Sequence, residues 1–260
     1  MNLSEKLMDR YGKEHLSYSS IKRALTDTAL FDLHMRGLLD HKSDALEFGS
    51  MYDMLLFDAD KAMSTYVVLD HDAIMERCSA ATQSTKSPKA TKEYKEAKDS
   101  IEEELKSKGK MVCSHEDWKT ANEMIDRLHS CGVYQQYLVG EYQKEIYTKI
   151  NGVTVKGYLD CLGNGFISDS KSTRSVDGFR YDVNKLCYDI QAYIYCKAIG
   201  INTFFWVVQE KAYPYLPAVV KCTEETLFKG EMKFFQAISK INNFMEAQED
   251  PMKDFNYFEV

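Results

Sequence analysis

The sequence predicts a mixed α/β (α+β) fold, a single domain over residues 1–260 whose central sheet is flanked by helices. Three observations predict it. A chain of 260 residues with 44% hydrophobic content can bury one sizeable core. Apolar residues recur at helical spacing in the first half and again toward the C-terminal end. Between those stretches, over 140–171, the period drops to two, as in strands.

Residues 17–26, "SYSSIKRALT", place hydroxyl residues ahead of Ile21, Ala24 and Leu25, the pattern of a capped short helix. Capping is the simplest role for Ser17, Ser19 and Ser20. "SDALEFGSMYDMLLF", 43–57, is helical and strongly apolar. Gly49 costs such a helix about 1 kcal/mol relative to Ala, which suits a close approach by another backbone or a ligand. Asp53 shares a face with Gly49. Residues 79–100 are poor in apolar side chains, and Lys86, Lys89, Lys92, Lys95 and Lys98 recur at every third position. That row spirals around a helix, and it reads as a mobile basic connection or an arm that touches phosphates.

"SHEDWKTANEMIDRLHS", 114–130, opens with a capping pattern from Ser114 to Asp117, and Trp118, Ala121, Ile125 and Leu128 come next at helical spacing. Three strands joined by "NG" and "LGNG" turns occupy 140–171. A helix over 184–200 ends at Gly200. Residues 203–211, "TFFWVVQEK", are β-prone, and 224–247 form a long amphipathic helix.

A net charge of −7 argues against a surface coated with positive charge, and leaves room for a local basic groove or a bound cation. No apolar run is long enough to span a membrane. The opening "MNLSEKLMDRYGKEH" lacks the apolar core of a signal peptide, so a cytoplasmic protein is expected. The seven cysteines, at 78, 113, 131, 161, 187, 196 and 222, include no CxxC pair and no His at metal-ligand spacing. Disulfides and a zinc site are not expected.

The stretch "GYLDCLGNGFISDSK", 157–171, sets two aspartates and a lysine among strand residues. Asp169 and Lys171 share one strand face. If the turn pairs Cys161 with Phe166, Asp160 sits opposite Ile167 and on the face of Asp169, one diagonal away; a one-residue slip would separate them. Two converging carboxylates repel unless a hard divalent cation relieves them, and oxygen ligands are what Mg²⁺ accepts. A lysine beside the cation can orient or deprotonate a water, or stabilise developing charge. The arrangement suits metal-assisted phosphodiester hydrolysis. From "D-x-K" alone the simpler reading is a surface salt bridge, with Asp160 ending a strand. The helix downstream shifts the balance: at 100° per residue, Tyr188, Gln191 and Tyr195 form a polar-aromatic front, opposite Leu186, Ile190, Tyr193 and Ile194.

In these motifs the sequence resembles the PD-(D/E)XK nucleases, in particular RecB/RecE-like phage exonucleases of the exodeoxyribonuclease VIII type. "LSYSSIK", "FGSMYDMLL", "GYLD", "DSKST", "YDIQAYIY" and "VVQEKAYPY" occur in the family's order, from about Ser17 to about Lys221. The resemblance implies a restriction-endonuclease-like core with a central mixed sheet. It implies Asp160 and Asp169 as metal-binding acids, Lys171 as the motif lysine, and the Ser170 carbonyl as a further metal ligand. Gln191 and Tyr195 would brace the site and meet DNA, with Tyr188, Glu145 and Ser19 as further contacts. Relatives often carry His where Asp53 stands, and Asp53 can still serve a hard cation.

The implied activity is a Mg²⁺-dependent DNA exonuclease, with Mn²⁺ able to substitute, acting on double-stranded ends in phage-type recombination or repair. Its implied partners are DNA, a single-strand annealing protein and its own copies in a trimeric or tetrameric ring, in the host cytoplasm if phage-encoded. The trio of downstream cysteines that holds an iron–sulphur cluster in some relatives is missing after Cys222, so no cluster is expected. A catalytically silent DNA-end or partner binder and a structure-specific endonuclease are the alternatives on the same fold.

Overall fold

The computed structural model describes residues 2–39 and 43–247. The chain divides into two compact units, residues 1–42 with 131–260, and residues 43–130. The outermost ends of the predicted domain, Met1 and 248–260, lie outside the described residues.

The first unit opens with α1 (Leu3–Tyr11), α2 (Tyr18–Thr26) and α3 (Thr28–Met35). As the hydroxyl pattern predicts, α2 is capped by Ser17, whose side chain accepts the Ser20 N–H while the Ser20 side chain accepts that of Ser17.

The second unit contains α4 (Asp44–Phe57), α5 (Ala59–Thr65), β1 (Tyr66–Leu69), α6 (His71–Met75), α7 (Ala80–Gln83), α8 (Lys92–Ser107), β2 (Met111–Ser114) and α9 (His115–Ser130). β1 and β2 pair in parallel. Buried Phe48, Met51 and Leu55 of α4 and Ala121, Met124 and Leu128 of α9 supply apolar contact where these helices pack. The basic segment 79–100 carries helix rather than open chain. Thr91 caps α8, Tyr94 is buried, and Lys92 and Lys98 pair with Glu96 and Glu102 one turn on.

The first unit then resumes with α10 (Val133–Tyr137), β3 (Glu141–Ile150), β4 (Val153–Leu162), β5 (Ile167–Thr173), α11 (Phe179–Lys185), α12 (Tyr188–Ile199), β6 (Phe204–Glu210), β7 (Pro217–Lys221) and α13 (Glu224–Ala247). Its sheet has the order β3-β4-β5-β6-β7, antiparallel except for the parallel pair β5–β6. This is the mixed sheet flanked by helices that the sequence predicts. The core packs Ile167, Phe204, Trp206 and Val208 of the sheet with Ile190 and Ile194 of α12 and Phe234, Ile238 and Ile241 of α13.

Two expectations are corrected. The turn pairs Leu162 with Ile167 and Cys161 with Ser168, not Cys161 with Phe166. The shift is two residues, so the parity of the register survives. The helix read over 184–200 is two helices, broken at Cys187, whose φ of 58° lies in the left-handed region. That conformation costs a non-glycine residue about 1–2 kcal/mol. Its offsets are tertiary: the Tyr18 hydroxyl donates to the Leu186 carbonyl, and Lys233 Nζ donates to Asp189 Oδ2 at 2.6 Å. No helix among the described residues is long and apolar enough to cross a membrane.

Candidate active site

The site lies in the first unit, where β4 changes partners. β3 occupies one edge of β4 along its length. On the other edge, β5 pairs only at Cys161 and Leu162, while farther back the backbone of Leu16 bonds to Thr154 and Lys156. Between these two partners β4 and β5 part. One step on from Cys161–Ser168, Asp160 and Asp169 come opposite each other. There the Ser170 N–H bonds not to the backbone of β4 but to Asp160 Oδ2, at 2.9 Å. A carboxylate thus takes the place of a ladder bond and holds the fork open.

Asp169 is 1% exposed. Its Oδ1 accepts from Gln191 Nε2 at 2.9 Å. Its Oδ2 forms an ion pair with the Lys171 ammonium. Lys171 Nζ also donates to the Ser170 carbonyl at 3.1 Å. Burial lifts the Asp169 carboxyl to about 7; Lys171 opposes the rise and the neighbouring Asp160 carboxylate adds to it.

α12 supplies the brace. Residues Asp189–Cys196 are all buried, so the polar-aromatic front read from the sequence faces protein. Gln191 bridges from Asp169 to the Tyr195 hydroxyl, 3.5 Å away. Tyr195 can come this close because Gly157 lies beneath it: a Cβ there would stand 3.1 Å from the ring. The Tyr188 ring lies 5.3 Å from Lys171 Nζ and stacks on Phe179.

The other predicted residues are placed differently. Glu145 of β3 faces Tyr158 in register and forms an ion pair with Lys156 at 2.8 Å. Gln143 is the β3 residue across from Asp160, by the flanking pairs Tyr142–Cys161 and Lys144–Leu159. Ser19 lies on α2, its carbonyl accepting from Arg23. Its neighbour Tyr18, to which the sequence assigns no role, is the α2 residue whose hydroxyl feels the charges of Lys171 and Asp169; burial raises its pKa first of all. The aromatic residue inside "LSYSSIK" was the available signal. Asp53 lies half-buried on α4, in the second unit.

Among the described residues no group of three or more His, Cys, Asp or Glu side chains is placed to hold a metal ion. The fork offers two carboxylates and the Ser170 carbonyl. Gln191 Oε1, buried beside them, accepts no hydrogen bond, and the Asp160 carboxylate adds to the rise in the Asp169 pKa, a repulsion that a further positive partner would relieve. An all-oxygen donor set completed by water fits a hard divalent cation.

Residues 17–258 match the family model described as a PDDEXK-like domain of unknown function, DUF3799. The fold is similar to that of a candidate exonuclease from Eubacterium rectale, with a TM-score of 0.64, 15% identity, and coverage of 98% of this chain and 92% of that one. A phage-related exonuclease from Haemophilus somnus also matches, at 11% identity over 72% of this chain and 99% of that one; its TM-score of 0.33 is too low to bear on the fold. No curated protein matches.

Proposed function

The chain belongs to the PDDEXK-like family DUF3799, and on that premise we propose that it is a Mg²⁺-dependent deoxyribonuclease, an exonuclease that hydrolyses phosphodiester bonds from duplex DNA ends. The observation that carries the reading is the fork of β4 and β5, where Asp160, Asp169, the Ser170 carbonyl and Lys171 converge on a buried oxygen cluster. Asp160, Asp169 and the Ser170 carbonyl would hold the cation, with Mn²⁺ as a substitute. When bound, a divalent cation neutralises charge on the phosphate and eases deprotonation of water.

The chain's own residues do the rest. Gln191 fixes the Asp169 carboxylate by holding Oδ1. Lys171, beside that carboxylate and 18% exposed, orients the attacking water and steadies the negative charge that develops on the phosphate. Tyr188 and Tyr195 wall the lysine and the glutamine. In this reading both units act as one nuclease domain, in the cytoplasm, in phage-type recombination or repair. Partners would be a single-strand annealing protein and further copies of the chain in a ring.

Digestion of linear and closed-circular duplex, with Mg²⁺ or with chelator, tests the proposal. Hydrolysis of linear DNA alone, lost with chelator and in Lys171→Ala, is expected. Nicking of closed circles would make the protein an endonuclease, and undiminished digestion by folded Lys171→Ala would remove the site assignment.

A further inference from the structure

The form of nucleic acid held beside the fork can be specified, on the premise of the nuclease reading. β5 and β6 run parallel, so the chain leaves both strands at the same sheet edge, just past Lys171. The two exits are tied together. The Thr173 carbonyl accepts the Lys211 N–H at 3.2 Å, and Glu210 Oε1 accepts the Val176 N–H at 2.7 Å. Gln209, 1% exposed, reaches from the sheet to the Tyr215 carbonyl at 2.7 Å. Loops 174–178 and 211–216 are therefore braced, yet they and the adjoining α11 display aromatic rings. Tyr213 is 85% exposed and Tyr181 66%, the highest values among the large hydrophobic side chains described.

Positive charge accompanies those rings. Two of the chain's seven arginines, Arg174 and Arg180, are exposed here, and the Arg180 guanidinium lies 4.9 Å over the Tyr181 ring. Residues 174–185 hold three cations against two acids, in a chain whose total charge is −7.

We infer that Tyr181 and Tyr213, with Arg174 and Arg180, form a stacking platform for single-stranded nucleic acid, guiding one strand at the Asp160–Asp169–Lys171 fork. Exposed rings stack on bases of any sequence, and guanidinium groups pair with phosphates. A duplex hides its base faces and would offer neither ring a base to stack on. Loops already braced from within lose little freedom when a strand docks.

The test uses the full chain carrying Lys171→Ala, with chelator, and measures fluorescence anisotropy of a labelled oligothymidine and of a blunt duplex of equal length. Adding Tyr181→Ala and Tyr213→Ala is expected to weaken single-strand binding by about tenfold or more and duplex binding much less. Both side chains are exposed, so folding should be unaffected. With Lys171 restored, the double variant should hydrolyse bis(p-nitrophenyl) phosphate as fast as the unsubstituted chain. Unchanged single-strand affinity, or equal loss on single strand and duplex, would overturn the platform even where hydrolysis persists; a protein surface then becomes the better use of these rings. Tyrosine-dependent single-strand binding by a chain that cleaves no phosphodiester would keep the platform and discard the nuclease.

Discussion

Asp169 stands between opposing influences. Burial raises its pKa and so does Asp160, while Lys171 lowers it, and the outcome is about 7 against an ordinary 3.8. A folded-state value above the unfolded one means that the native protein holds this proton more tightly. The associated stability is fully present below pH 3.8 and is lost as pH rises through about 7. In chelator, melting of the unsubstituted chain should therefore weaken from pH 5 to pH 8 relative to Asp169→Asn, which has no such proton to lose. Mg²⁺ at pH 8 should restore the unsubstituted chain and leave Asp169→Asn unmoved. An equal pH response in both proteins would show that Asp169 does not titrate in this range. The Asp160–Asp169–Lys171 group was legible because strand parity alone brings these residues to one place. Gln191 was legible from its helical arc. Tyr18 was not, because hydroxyl residues on either side drew the capping assignment and only tertiary packing brings its hydroxyl to the Leu186 carbonyl and within the field of Lys171.

Two glycines in helices show why element boundaries were easier to read than element contacts. An added Cβ at Gly230 of α13 would stand 2.1 Å from the Asp189 carbonyl oxygen, so α13 and the site-bearing α12 touch backbone to backbone. At Gly49 of α4 it would meet nothing within 4 Å among the described residues, so none of them makes the close approach expected there from sequence. The same substitution should then act with opposite sign. Gly49→Ala is expected to gain up to about 1 kcal/mol through helix propensity. Gly230→Ala is expected to lose about 1–3 kcal/mol through overpacking, despite the same propensity gain. Chemical denaturation measures both; a stabilised Gly230→Ala would mean that the two helices are farther apart than described. The break at Cys187 belongs to this scale too. Apolar periodicity runs through 184–200 without a gap, and the partners that hold the break, Tyr18 and Lys233, lie far away in sequence.

For the whole molecule, β3, β4, β5, α12, β6 and α13 were legible from periodicity, because each alternates or repeats against one core; the short elements α11 and β7 were not read. The division into two units was not. Residues 43–130 carry helical patterns as good as those elsewhere, and nothing in their composition marks a boundary; contacts alone separate them. The helices within the basic row at 79–100 were hidden for a related reason: they rest on few apolar side chains, Tyr94 chief among them, and on pairings between lysines and glutamates. The proposed activity depends on one cation in one fork of the first unit. The most direct test is an anomalous difference map from crystals soaked in Mn²⁺. The account predicts a peak within bonding distance of the Asp160 and Asp169 carboxylates and the Ser170 carbonyl, with Lys171 displaced from that carbonyl. A map with no peak between those carboxylates, or with its strongest peak elsewhere, would contradict it.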